Sequence, residues 1–323
     1  MGKAIIIPDI SFALNNLGTI TFINQGNNES GGGNEQGGGN EPVVTTQYNL
    51  WDILYTDGNG NLSVSSEVLD TSLGKKPIAI CIAKTGFFGE NEKARWMALK
   101  FLNKGAGPNT GVIYVHELYF GPSVNVQEIS DVSTTHVGAS GDESDWGRFE
   151  GGSTDNSAPL VPHISDANGN WNLSELGTIG NYALTDINGK AKTTIYQSYV
   201  TVENWQNVAI PDNANTGNWN AVMAAYHFAP NGTQMGDWYI GACGEYALME
   251  DLRTTFASKI NLIHESYPTD SYAAPSTDNN TGWQIWTTTE YDNGNQYRMH
   301  IRKGQFGSKP KTDKKYVVPL LQY

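Results

Sequence analysis

The chain has 323 residues, room for one large domain or two ordinary ones, and its 36 glycines, 11% aromatic and 16% charged residues describe Gly-turned β structure rather than disorder or a helical bundle. A net charge of −13 and a pI near 4.8 oppose binding to a phosphate backbone, which needs a basic face, so no nucleic acid partner is expected.

Residues 1–25 read as an anchoring arm. Two β-like runs, Ala4 to Ile7 and Thr19 to Ile23, surround Pro8-Asp9 and Asn15-Asn16-Leu17-Gly18. Such a segment is too small to bury a core of its own. Its apolar residues Ile5, Ile6, Ile7, Phe12, Ile20 and Phe22 are therefore expected to dock on another protein. Ile5-Ile6-Ile7 ends at Pro8 too early for a secretory h-region, and Ile6 stands where N-myristoylation requires Ser or Thr. No apolar run is long enough to span a membrane. The expectation is a protein made in the cytoplasm and released by lysis, with no membrane insertion.

Residues 26–46 read as a linker. Asn28-Glu29-Ser30-Gly31-Gly32-Gly33 is followed by Asn34-Glu35-Gln36-Gly37-Gly38-Gly39, a repeat that closes at Pro42. Its glycines make a flexible coil with an r.m.s. span of about 20 Å.

Residues 47–323 read as the main domain. A strand from Gln47 to Tyr55 precedes the turn Asp57-Gly58-Asn59-Gly60. Asp57, Asn59, Asn61, Ser63 and Ser65 imitate the alternate ligands of a calcium loop. Leu62 and Val68, however, occupy the positions of its turn Gly and bidentate Glu, so a hairpin turn is expected. Asp166-Ala167-Asn168-Gly169-Asn170 fails in the same way at Trp171. Further strands are expected at Pro77 to Lys84, Ala94 to Phe101 and Gly111 to Phe120. Cys81 lies in the first of these, where a buried thiol behaves as a small hydrophobe. Residues 124–184 read as insertion-like loops.

Two helices follow. Trp219, Val222, Met223 and Tyr226 share one helical face over Asn218 to Phe228, with Asn218 placed to cap. Leu248, Leu252, Phe256, Ile260 and Ile263 make a second stripe over Glu245 to Ile263. Near the C-terminus, Gln284 to Tyr291 and Gln296 to Arg302 flank Asp292-Asn293-Gly294-Asn295, and Asn-Gly is the dipeptide best suited to a tight hairpin. A Gly-punctuated loop with Lys309 and Lys311 then leads to a last strand, Tyr316 to Leu321.

Three blocks carry a family resemblance. Trp286-Thr287-Thr288-Thr289-Glu290-Tyr291 with Gly304 and Tyr316-Val317-Val318-Pro319 resembles the C-terminal signature of C-type-lectin-fold domains related to the formylglycine-generating enzyme and to fimbria-associated proteins. Gly236-Asp237-Trp238-Tyr239-Ile240 with Gly244-Glu245, and Asp186-Ile187-Asn188-Gly189-Lys190, resemble two further blocks of that family, in the same order. Ile240-Gly241-Ala242 departs from its Leu-Pro-Ser, and Val318 from its Arg. The resemblance spans roughly Tyr48 to Tyr323 and implies an α+β, C-type-lectin-like fold: a twisted antiparallel sheet with two helices and long loops.

The chemistry points away from catalysis. Gly138-Ala139-Ser140-Gly141-Asp142 lacks the closing Gly of a nucleophile elbow. The histidines at 116, 136, 163, 227, 264 and 300 have neither i, i+4 pairing nor zinc spacing. The enzymes of the resembling family use a cysteine pair near the C-terminus, and no cysteine follows Cys243. No catalytic residue, metal or cofactor is therefore expected, and Glu245 and Glu290 are expected to satisfy backbone donors.

A binding surface remains. Alternation puts Gln296, Arg298, His300 and Arg302 on one face of their strand and Tyr297, Met299 and Ile301 on the other. Tyr291, Asn293, Asn295, Gln296, His300, Arg302 and Lys309 are the candidate ligand-binding residues. They lie in a locally basic stretch, with Arg298, Lys303, Lys311, Lys314 and Lys315, of an acidic chain. The role that joins arm, tether and fold is a phage head or tail fibre: the arm holds capsid or tail proteins, the domain binds a host-surface glycan or protein, and the virion carries it as a homotrimer. A fimbria-associated surface protein and a formylglycine-generating-type enzyme are the alternatives.

Overall fold

The computed structural model describes residues 10–14, 20–24, 46–65, 74–99, 102, 118–120, 147–149, 160–161, 181–200, 221–266, 284–291, 294–301 and 304–323. The chain divides into two compact units, Met1–Val44 and Thr45–Tyr323.

In the small unit, β1 (Ile10–Leu14) and β2 (Ile20–Asn24) form an antiparallel hairpin in which Phe12 pairs with Phe22 and Leu14 with Ile20. The second strand is the one expected from Thr19 to Ile23. The other expected run, with Ile5, Ile6 and Ile7, lies outside the described residues.

The large unit is α+β. It opens on a tight turn in which Asp52 Oδ2 accepts from Asn49 N at 2.8 Å and Trp51 takes φ 72. The hairpin β3 (Ile53–Thr56) to β4 (Leu62–Ser65) turns through 57–61. There Asp57 Oδ1 accepts from Asn59 N and Asn61 N, both at 2.8 Å, and Gly60 supplies φ 85. The expected hairpin turn thus forms, and Asp57 closes it.

β5 (Lys76–Ala83), β6 (Arg95–Ala98), β7 (Leu118–Tyr119), β8 (Gly147–Phe149) and β9 (Leu160–Val161) come next. They are followed by the helices α1 (Asn181–Thr185), α2 (Gly189–Val200) and α3 (Ala221–His227), then β10 (Trp238–Tyr239), α4 (Cys243–Asp251) and α5 (Arg253–Ser266). The chain closes with β11 (Gln284–Glu290), β12 (Asn295–His300), β13 (Gln305–Pro310), β14 (Lys314–Lys315) and β15 (Leu320–Gln322).

An antiparallel sheet in the order β10-β15-β6-β5-β3-β4 is the middle layer. β5 is apolar on both faces, which is why it reads as a continuous apolar run. Ile80 and Ile82 face a core shared with α4, α5 and the β11–β12 hairpin, whereas Ala79 and Cys81 face a core shared with α3, Tyr196 of α2 and Trp286. Met97 and Trp96 on β6, and Leu320 and Leu321 on β15, divide between the two cores in the same way. The second sheet runs β11-β12-β13-β8-β9, antiparallel except for the β8–β9 pair.

Three expectations are corrected. The helix expected over Glu245 to Ile263 is two, broken at Leu252 with φ −104 and ψ 30. The stripe runs across the break because Leu248, Phe256, Ile260 and Ile263 all face one core. The Gly304 to Lys315 loop is instead largely β13, paired with β12 from Asn295↔Pro310 to His300↔Gln305. The region expected to be loops, 124–184, supplies β8 and β9 to that sheet as well as the start of α1. The proposed cap Asn218 lies outside the described residues.

Candidate functional site

The three sequence blocks meet in one buried polar junction. Glu245, on the first turn of α4 and fully buried, accepts four hydrogen bonds. Arg95 Nε at 2.6 Å and Tyr239 OH at 2.9 Å donate to Oε1; Gly189 N at 3.1 Å and Ala242 N at 2.9 Å donate to Oε2. Burial pushes the Glu245 carboxyl up, against the pull of Arg95. Arg95 also donates to Lys93 O and Glu92 Oε2.

The neighbouring contacts tie the same blocks together. Thr288 N donates to Gly241 O at 2.9 Å, Cys243 N to Thr289 Oγ1 at 2.8 Å, and Tyr246 OH to Val318 O at 2.6 Å. Lys192 pairs with Asp186, whose Oδ1 accepts from Asn188 N. Glu245 thus does satisfy backbone donors, as expected. Glu290 accepts from two side chains, Lys311 Nζ at 2.8 Å and Tyr196 OH at 3.4 Å.

Neither cysteine is placed for nucleophilic work. Both are free and buried. Burial pushes the Cys243 thiol up to about 12, and the Cys81 thiol is raised by burial as well, so both stay protonated near neutrality. Among the described residues, no three or more His, Cys, Asp or Glu side chains group to hold a metal ion.

The expected binding face is mostly internal. Alternation on β12 is as anticipated, yet both faces are covered. Tyr297, Met299 and Ile301 enter the first core. Arg298, on the opposite face, is paired in register with Trp286, which packs edge-on against Phe120 at 5.8 Å. Gln296 is fully buried, with its amide donating to Thr287 O at 2.9 Å, and His300 is 6% exposed. Tyr291 is a core residue in ring contact with Tyr297. These three candidates are therefore not surface ligands. Asn293 and Arg302 lie outside the described residues.

Asn295 and Lys309 keep half-buried positions at the turn end of the sheet. There Lys311 N donates to Gly294 O at 2.8 Å, so the turn before β12 lies beside the turn after β13. Gly294, Thr312 and Lys314 are exposed on this end, and Lys315 is half-buried. This basic rim is the candidate surface, and Lys314 joins the two retained residues. Tyr239, Thr288 and Thr289 belong to the three blocks, whereas Arg95 and Lys192, which complete the junction, lie outside them and have no local signal in the sequence that sets them apart. A first consequence concerns His300. Because it is internal, His300→Ala is expected to lower stability by about 1–3 kcal/mol, readable as a fall in melting temperature; an unchanged melting temperature would contradict the assignment.

No protein-family model and no curated protein matches the chain. Among solved structures the fold is similar to a fimbrial protein from Bacteroides ovatus ATCC 8483, at 14% identity and a TM-score of 0.41 over 85% of this chain. The chain spans 49% of that protein's length.

Proposed function

We propose that the protein is a non-enzymatic structural and adhesion component of a phage virion, a head or tail fibre. Residues 1–25 anchor it to capsid or tail proteins, and the large unit is a C-type-lectin-like domain that presents the basic rim of Asn295, Lys309 and Lys314 to a host-surface glycan or protein. It works as a homotrimer. The observation that carries this reading is the division of the chain into a small hairpin unit and a large unit, joined through a Gly-rich segment. An isolated two-stranded hairpin is marginally stable, so a partner surface is its natural support. The internal bonding of Glu245, Glu290 and Asp186, each of which is spent on holding the fold, supports a binding role over catalysis. So does a cationic rim on a chain of charge −13, since local sign reversal suits capture of an acidic partner.

Deleting residues 1–25 should leave a folded large unit that is absent from purified particles by immunodetection, and light scattering of the intact protein should give a trimer mass. Truncated protein found on particles at the normal level would overturn the anchoring role.

A further inference from the structure

We propose that the corner between α4 and α5 is a proton-linked hinge, docked while Glu250 is protonated and released when Glu250 ionises. The inference is independent of the role proposed above. Glu250 is 1% exposed, and neither of its carboxyl oxygens accepts a hydrogen bond. An ionised carboxylate in that setting has lost its hydration and gained no donor, so the neutral acid is the form compatible with the docked corner.

The surrounding charges do not compensate it. α4 packs against α1, β5, β11, β12 and α5. α1 has no charged residue, and β5 contributes only Lys76, exposed at its first position. Glu290, Arg298 and His300 lie on the sheet face opposite Tyr297 and Met299, and it is the latter pair that shares a core with Met249. Asp251 is its neighbour on α4. α5 carries Arg253, Lys259, His264 and Glu265, and the charge felt at Glu250 is that of Arg253. Burial outweighs Arg253 and pushes the carboxyl up to about 8.

The corner is also built to move. Leu252 breaks the helix, so α5 is a separate rod that can swing there. Its buried face carries Phe256, Ile260 and Ile263, and Phe256 lies 5.9 Å from the Trp51 ring. Trp51 sits at φ 72, a left-handed conformation that a bulky L-residue keeps only where its surroundings impose it. Swinging α5 away removes Phe256 from the Trp51 ring, while the Trp51 turn itself stays held by Trp51 N donating to Cys81 O at 2.8 Å.

The sign follows from linkage. An undocked Glu250 titrates near its ordinary 4.5, a docked one near 8, so the docked state holds the extra proton. Docking is strongest at or below the lower value and weakens as pH rises towards the upper one. Hydrogen exchange over 253–266 in the full chain, corrected for intrinsic rates, reads the opening constant directly. Between pH 6 and pH 9 it should rise on the order of a hundredfold in the wild type, accompanied by a change in tryptophan emission. In Glu250→Gln it should stay flat. A wild-type opening constant that does not change with pH overturns the hinge even if the variant fails to fold. The same pH dependence in a folded Glu250→Gln protein overturns the assignment to Glu250.

Discussion

Glu245→Ala is expected to cost the large unit about 3–5 kcal/mol, the range for removing one partner of a buried ion pair. The carboxylate is fully buried, and its removal strands four donors at once: Arg95 Nε, Tyr239 OH and the backbone N–H groups of Gly189 and Ala242. Arg95 is 1% exposed and would keep only Lys93 O and Glu92, the latter 45% exposed and weakly held. Screening at that exposed carboxylate makes it a poor replacement counter-ion. Glu245→Gln should recover little, because its amide nitrogen would face donors where Oε1 or Oε2 now accepts. Urea unfolding followed by circular dichroism measures the loss. A change below about 1 kcal/mol would mean that water takes over the role of the carboxylate, and the junction would then not be what holds the blocks together.

The contrast between what sequence reading can and cannot reach is visible at this junction. The hairpin of β11 and β12 is legible because its turn chemistry is local, with Asn293-Gly294 between two β-rich runs. β5 is legible from its apolar run, and the turn at 57–61 from its Asp and Gly spacing. The break at Leu252 is not, since neither Gly nor Pro marks it. β13 is hidden because Lys309-Pro310-Lys311 has the composition of a loop, and only pairing with β12 makes it a strand. The burial of Gln296 and His300 is likewise tertiary: alternation gives the face, but which faces are covered depends on Phe120 and α2, far away in the chain. Arg95 and Glu245 lie 150 positions apart, and no spacing rule connects them.

Gly189→Ala should be nearly as damaging, about 3 kcal/mol, at the upper end of overpacking costs. In an exposed helix the same change would stabilise by up to about 1 kcal/mol, since alanine is the better helix former. Here the space decides. Gly189 starts α2 under the 240–242 segment, and a Cβ there would come within 2.3 Å of Glu245 Oε2, 2.6 Å of Ala242 N and 2.7 Å of Ile240 O. Two of those atoms are backbone, and their segment is pinned from every side. Thr193 Oγ1 donates to Ile240 O and accepts from Ile240 N, Gly241 N donates to Tyr246 OH, and Gly241 O accepts from Thr288 N. Gly189 does not have a positive φ, so what the position requires is the missing side chain rather than an unusual backbone. The variant would have to give up either the Gly189 N–H bond to Glu245 or the seating of α2 on β10. Gly189→Ala and Glu245→Ala should therefore be strongly sub-additive in a double-mutant cycle, because both break the same junction. Full additivity would show that the two residues act separately, with the clash at Gly189 relieved by a shift of α2 alone.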